Sequence, residues 1–275
     1  MRRSFPERLD RISELLSSSS SIPTIYAITP TYARPVQKAE LTRLANTFVS
    51  VPNFHWIIVE DAAERSELVS SLLEKSGLKY TQLNEPTPRE DKLKPSDPNW
   101  LKPRGVLQRN KGLSWLRKNV DANRTDGVVY FADDDNVYDL ELFKEMRSTK
   151  KVSVWPVGFA GYLRYERPIV KRGKVVGWFT YWKPERQFAI DMAGFAVNLK
   201  LFFDHPWAEF SRVNRGQMES YLLSSLGVTL NDLEPKADDC TKVLVWHTRT
   251  EAPNLTNEKK LKAAGKSGTD LNVEV

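Results

Sequence analysis

The first half of the chain alternates between two hydrophobic periods. Ile25-Tyr-Ala-Ile-Thr29 is a short strand-forming run closed by Pro30, and Leu41, Leu44, Ala45 and Phe48 then return at helical spacing within 37–51. The unit recurs. His55-Trp-Ile-Ile-Val59 reads as a strand, 66–75 as a helix and 79–83 as a third strand; after a connector rich in Pro and Lys, 105–118 reads as a helix with Leu107, Leu113, Trp115 and Leu116 mostly on one side. Gly127-Val-Val-Tyr-Phe131 suits a strand buried on both faces. Alternation of this kind implies parallel strands joined by right-handed crossovers, whose ligands bind outside the carboxyl ends of the strands. Tyr32, Arg34, Asp61 and the aspartates at 133–135 all fall at such ends.

Beyond Met146 the pattern changes. Runs at 152–156, 161–167, 175–182, 188–197 and 243–248 are strand-like, and 217–226 is helical. The expectation is an α/β fold with a mostly parallel, Rossmann-like half at 22–150 and a mixed-sheet half at 151–275 forming the other wall of a cleft. Residues 1–21, which end in the serine run 17–21, read as a flexible lead-in.

Composition narrows the partners. A chain of 275 residues, 40% hydrophobic, can bury a large core. Its net charge of +6 favours acidic ligands, and because basic and acidic residues are interspersed, an anionic small molecule is expected and not nucleic acid. Cys240 is the sole cysteine, which excludes an intrachain disulfide and a cysteine-based metal site. No apolar window approaches ~18 residues and the amino terminus lacks a signal-peptide core, so the expectation is a soluble chain without a membrane anchor. Asn123-Arg-Thr125 and Asn254-Leu-Thr256 fit the N-glycosylation pattern.

The chemistry concentrates after the fourth strand. Three carboxylates follow it, and two unit charges ~4 Å apart in a partly buried site repel by roughly 4 kcal/mol, so a counter-charge is required. A divalent cation supplies it. Continued alternation would point Asp133 and Asp135 one way and Asp134 the other; the blander alternative is an Asp-rich turn with Asp139 capping the next helix. Arg104 and Arg109, at a helix start, suit a phosphate or ribose, or else are solvated arginines. His247 and Arg249 lie two apart after an apolar run, hence on one face of a strand. No Gly-rich phosphate loop and no G-x-S-x-G elbow occurs, so metal and side chains must hold any phosphate. Glu166, Asp191 and Glu219 are the general-base candidates; Asp191 interrupts an apolar run and so needs a partner, and Glu219 at a helix start has capping as its alternative role.

Together the motifs carry a resemblance. Thr29-Pro-Thr-Tyr-Ala-Arg34, Val59-Glu-Asp-Ala62, Pro103-Arg-Gly105 with Gln108-Arg-Asn110, Phe131-Ala-Asp-Asp-Asp-Asn136, Val152-Ser-Val-Trp-Pro-Val157, Asp191-Met-Ala-Gly-Phe-Ala196 and Val245-Trp-His-Thr-Arg-Thr-Glu251 resemble, in order, the animal β-1,3-glucuronyltransferases, glycosyltransferase family 43. The resemblance implies a GT-A fold enzyme that moves glucuronic acid from UDP-glucuronate to the 3-hydroxyl of a terminal β-galactose, with inversion and with Mn²⁺. It also implies roles. Tyr32 would stack on uracil and Asp61 bond its edge; Arg104, Asp133 and Asp134 would serve the ribose and donor sugar; Arg109 would lie near the glucuronate. Asp135 would bind the metal, His247 and Arg249 the diphosphate, and Arg215 the donor. Glu219 would be the base, with Glu166 and Asp191 holding the acceptor.

Some features depart from the family. The chain has Gly161-Tyr162 where two glycines are usual, and Arg186-Gln187-Phe188 where Arg-Pro-Phe is usual, both on the acceptor side; Asp239-Cys-Thr241 replaces a sequon. The resemblance implies residence in the Golgi lumen, although the family's amino-terminal membrane anchor is absent from this sequence, and a homodimer. Two acceptors compete: the Gal-Gal end of the proteoglycan linkage region, which is preferred, and Gal on N-acetylglucosamine of glycoprotein glycans. A nucleotidyltransferase is a rival enzyme class, and a metal-bridged glycan-binding module is the non-enzymatic rival.

Overall fold

The computed structural model describes residues 22–93, 96–97, 102–213, 216–248, 250–251 and 253–265. Its centre is a seven-stranded sheet in the order β11-β6-β10-β4-β1-β2-β3. β1 (Thr24–Thr31), β2 (Phe54–Glu60), β3 (Lys79–Asn84) and β4 (Gly127–Phe131) run parallel to one another, joined by α1 (Gln37–Phe48), α2 (Glu67–Ser76) and α3 (Val106–Asn119). The helix ends follow local chemistry. Ser66 caps α2 by accepting from the Val69 amide at 3.3 Å, and Gly77 ends it in the left-handed region at φ 71°.

Burial explains why the strands read as continuous apolar runs. Every residue of β2 and β4 is buried, and successive side chains go to opposite faces. Ile25, Ala27, Trp56, Ile58, Val128 and Tyr130 join a core with Phe48 of α1 and Phe143. Their neighbours Tyr26, Ile28, Ile57, Val59, Val129 and Phe131 join a second core with Leu113 of α3, Phe195 and Phe202. The sheet is thus the middle of three layers.

After β4 the chain makes the short strand β5 (Val137–Tyr138) and helix α4 (Leu140–Met146), with Asp139 at its N-cap as in the blander reading of an Asp-rich turn: the carboxylate accepts from the Glu141 amide at 2.8 Å. β6 (Val152–Val154) and β10 (Phe195–Asn198) then return to the main sheet. β10 lies antiparallel between β4 and β6, pairing Ala196 with Tyr130 and with Ser153, and β11 (Leu233–Pro235) closes that edge parallel to β6. The main sheet therefore draws strands from both sides of residue 150.

A second sheet, β5-β12-β7-β8-β9, is formed by β5, β7 (Val157–Gly158), β8 (Tyr165–Lys171), β9 (Lys174–Phe179) and β12 (Val245–Trp246). It gathers the stretch after Asp135, the stretch before His247 and the strand carrying Glu166 into one layer. Helices α5 (Leu199–Asp204), α6 (Met218–Ser225) and α7 (Thr256–Ala263) complete the described chain.

The second half departs from its expected strands in specific ways. The run at 161–167 begins as a tight turn, because Gly161 and Tyr162 adopt φ 58° and 60°, and pairing starts only at Tyr165. The run at 175–182 ends at Phe179. Of 188–197, only 195–197 belong to a strand; Asp191 accepts from the Ala193 amide at 2.9 Å and caps a helical turn at Met192–Gly194. That stretch is apolar because it is covered on all sides, and not because it is extended. The run at 243–248 pairs over two residues only. The lead-in at 1–21 lies outside the described residues.

Candidate active site

β4 ends at Phe131, and the aspartates follow in a turn instead of prolonging the strand. They still separate to different neighbours. Asp133 pairs with Arg109 of α3, while its carbonyl accepts from the Tyr138 hydroxyl at 2.8 Å. Arg109 is nearly buried, and its other amino group donates to the Arg104 carbonyl at 2.9 Å. Gly105 makes this clamp possible. It sits at φ 69°, and a Cβ there would lie 2.7 Å from the Arg109 guanidinium. The Arg104 side chain is exposed.

Asp134 turns towards β1, where Arg34 lies 2.7 Å away. Burial pushes its carboxyl up to about 6 despite that cation. Asp135 is fixed through its backbone: its carbonyl accepts from Arg43 of α1 at 2.8 Å and from the Thr248 hydroxyl at 2.7 Å. Burial and the neighbouring Asp133 raise its carboxyl above the ordinary range, while His247 opposes the shift. His247 is held by its own amide, which donates to the Gly158 carbonyl at 2.8 Å. Its buried Nδ1 has no hydrogen-bond partner among the described residues and lies 3.8 Å from the Asp191 carboxylate.

At the neighbouring strand ends, the Asp61 amide donates to the Thr31 carbonyl at 2.8 Å, which sets Asp61 beside Tyr32. The Asp61 carboxylate accepts from the Thr87 amide at 2.7 Å, and half of the Tyr32 surface is open to solvent. An exposed aromatic face next to a carboxylate suits a heterocyclic base with a donor edge.

The opposite wall carries the remaining carboxylates. Glu219 lies in the first turn of α6, buried, and burial raises its carboxyl to about 7; Arg186 opposes that shift from 3.6 Å, and Arg109 and Asp191 also act on it. Arg186 is itself buried and donates to the carbonyls of Trp182 and Lys183 at 3.2 and 3.3 Å. Glu166 on β8 accepts from Thr180, and burial, with Asp191 contributing, raises its carboxyl. Gly161 leaves room for it: a Cβ there would collide with the Glu166 Oε1. Asp191 joins the walls, since it faces His247 and acts on both Glu166 and Glu219.

Tyr32, Asp61 and the aspartate turn thus lie at the ends of β1, β2 and β4 with Arg109 against Asp133, while Asp191 links His247, Glu166 and Glu219. Arg215 and Arg249 lie outside the described residues. Arg43, Thr180 and Thr248 carried no signal in the sequence, and Arg186 was marked only by its unusual neighbour Gln187. Among the described residues no group of three or more His, Cys, Asp or Glu side chains could hold a metal alone. A single hard carboxylate such as Asp135 instead fits a divalent cation that completes its shell with substrate oxygens and water.

The mostly parallel sheet, with Tyr32, Asp61 and the aspartate turn at its strand ends, is that of a glycosyltransferase of the GT-A fold. The Staphylococcus aureus protein TarS shares that fold. Its residues 1–349 superpose with a TM-score of 0.51 at 15% identity, covering 82% of this chain and 60% of that one. Its complex with UDP-GlcNAc superposes with a TM-score of 0.52 at 14% identity, covering 85% and 60%. Sequence comparison is more specific. The chain is 57% identical over 268 residues to galactosylgalactosylxylosylprotein 3-beta-glucuronosyltransferase 2 of Rattus norvegicus, covering 94% of this chain and 81% of that one. It is 58% identical over 261 residues to galactosylgalactosylxylosylprotein 3-beta-glucuronosyltransferase 1 of Homo sapiens, covering 94% and 76%. Residues 44–251 match the model of glycosyltransferase family 43, and the chain belongs to that family.

Proposed function

We propose that this enzyme transfers glucuronic acid from UDP-glucuronate to the 3-hydroxyl of the terminal β-galactose of the Gal-Gal-Xyl proteoglycan linkage region, inverting the anomeric carbon. The names of its relatives support that acceptor over Gal on N-acetylglucosamine, and membership in a glycosyltransferase family speaks against both the nucleotidyltransferase and the glycan-binding module. The observation that carries the chemistry is Glu219, a buried carboxylate in the first turn of α6, 3.6 Å from Arg186 and raised to about 7 by burial. A galactose hydroxyl is far too weak an acid to ionise alone. Glu219 takes its proton as the oxygen attacks the anomeric carbon from the face opposite the diphosphate; the bond to UDP breaks and the configuration inverts.

The other residues hold the reactants. Tyr32 and Asp61 take the uracil; Arg104, Asp133 and Asp134 the ribose and donor sugar; Arg109 the glucuronate; His247 the diphosphate as its charge grows. Arg215 and Arg249 are assigned to the donor by resemblance alone. Glu166 and Asp191 accept from the galactose hydroxyls. Asp135 would hold Mn²⁺, which would supply positive charge to the diphosphate. The setting we infer is the Golgi lumen, with the enzyme as a homodimer.

The test is Glu219→Gln in a radiolabelled-donor assay. Turnover should fall by ~10²–10⁴-fold, the typical contribution of a general base, with UDP affinity retained. In the wild type kcat/KM should rise with pH through about 7, where Glu219 loses its proton. Normal turnover by the variant rejects the assignment.

A further inference from the structure

Arg34 lies at the end of β1, and the proposed chemistry of the site gives it no task. It nevertheless touches four things at once. Its Nη1 donates to the Tyr32 carbonyl at 3.1 Å, and its guanidinium carbon stands 4.5 Å over the Tyr32 ring. Its Nη2 pairs with Glu40 of α1 and lies 2.7 Å from Asp134. The side chain is 12% exposed, against 3% for Glu40 and 10% for Asp134.

Each of these neighbours constrains a different degree of freedom. The two carboxylates, on α1 and on the aspartate turn, fix where the guanidinium plane sits. The carbonyl bond fixes the backbone of Tyr32, and stacking against the ring fixes the aromatic plane. One face of Tyr32 is thereby occupied, while half of its surface remains in solvent. Only a planar cation performs all four tasks, because a guanidinium stacks on a ring while one nitrogen donates to the carbonyl and the other meets both carboxylates, whereas an ammonium is a point charge.

We propose that Arg34 is a positioning residue for the nucleotide base: it locks Tyr32 as one half of a stacking site whose free face takes a pyrimidine ring, and anchors that half to the turn carrying the aspartates. This inference rests on the assignment of Tyr32 to the base of the donor nucleotide, and it concerns base affinity, not the transfer step.

The experiment is a calorimetric titration of the full chain with uridine, which has the base and ribose but no phosphate, and separately with UDP. Arg34→Lys keeps the charge between Glu40 and Asp134, so the variant should fold, and circular dichroism checks this. Its uridine affinity should fall roughly 5- to 10-fold, the range expected when a cation–π interaction no longer pre-organises the ring. UDP affinity should fall by the same factor, and the acceptor KM should stay unchanged. Tyr32→Leu should reduce it at least as much, and adding Arg34→Lys to Tyr32→Leu should cost little more. Unchanged uridine affinity in folded Arg34→Lys overturns the inference, as does a reduction confined to UDP, which would make Arg34 a phosphate ligand. These outcomes are independent of glucuronyl transfer. Absent transfer by the wild type would sink the proposed reaction and leave the uridine result to stand alone.

Discussion

The two walls of the cleft solve opposite electrostatic problems. On the donor wall, acidic groups are matched with cations: Arg109 pairs with Asp133, and Arg34 with Asp134 and Glu40. On the wall we assign to the acceptor, Arg186 lies 3.6 Å from Glu219 and His247 3.8 Å from Asp191, and burial raises Glu166 and Glu219 above the ordinary carboxylate range. Burial raises Asp134, to about 6, and Asp135 as well, so the contrast lies in the paired arginines and not in the carboxylates: the first arrangement can grip an anion. The second keeps protons near the pH at which they must move. A neutral acceptor needs hydrogen-bond acceptors and a base, whereas a nucleotide diphosphate needs charge.

Substitutions can break that contrast. The largest expected effect is Asp135→Asn, which keeps shape and removes the charge; turnover should fall by about 10²-fold or more, as expected when electrostatic stabilisation is removed, and manganese binding followed by calorimetry should weaken in parallel. Gly161→Ala comes next. Its methyl group would press on the Glu166 carboxylate from a left-handed backbone, so the acceptor KM should rise about tenfold while the donor KM holds, with a stability loss of roughly 1–2 kcal/mol. A change in the donor KM would instead place Gly161 in the wrong wall.

Arg186→Met removes the cation paired with Glu219. The Glu219 carboxyl should rise further, so the acid limb of the kcat/KM profile should move to higher pH. A limb that stays in place would show that burial alone sets the base. The smallest effect concerns stability. Glu219 rises from 4.5 to about 7 on folding, so its contribution is fully present below pH 4.5 and is lost as pH rises through about 7. Above pH 7, Glu219→Gln should therefore unfold at a higher temperature than the wild type, by the equivalent of roughly 1–3 kcal/mol, and the difference should vanish below pH 4.5.

The donor wall was the more legible of the two. Parallel strands buried on both faces announce themselves as apolar runs, and their ends locate Tyr32, Asp61 and the aspartates without any long-range information. Asp133 and Asp134 take different partners, Arg109 and Arg34, but they do so in a turn and not by the alternation expected of a strand. The acceptor wall hid its geometry for physical reasons. Gly161 and Tyr162 leave extended space at a point where hydrophobicity does not change. The apolar stretch 188–194 is buried without being a strand. Arg43, Thr180, Thr248 and Arg186 matter through interactions made across the fold, and one Arg among 41 Lys and Arg residues carries no mark of burial.

The position of β10 has a practical consequence. This four-residue strand, from late in the chain, is hydrogen-bonded on one edge to β4 and on the other to β6. A polypeptide severed near residue 150 would leave its amino-terminal fragment with β4 bare along a hydrophobic edge, open to self-association. Complementation should therefore require the second fragment to be supplied during refolding, because neither piece closes the sheet by itself.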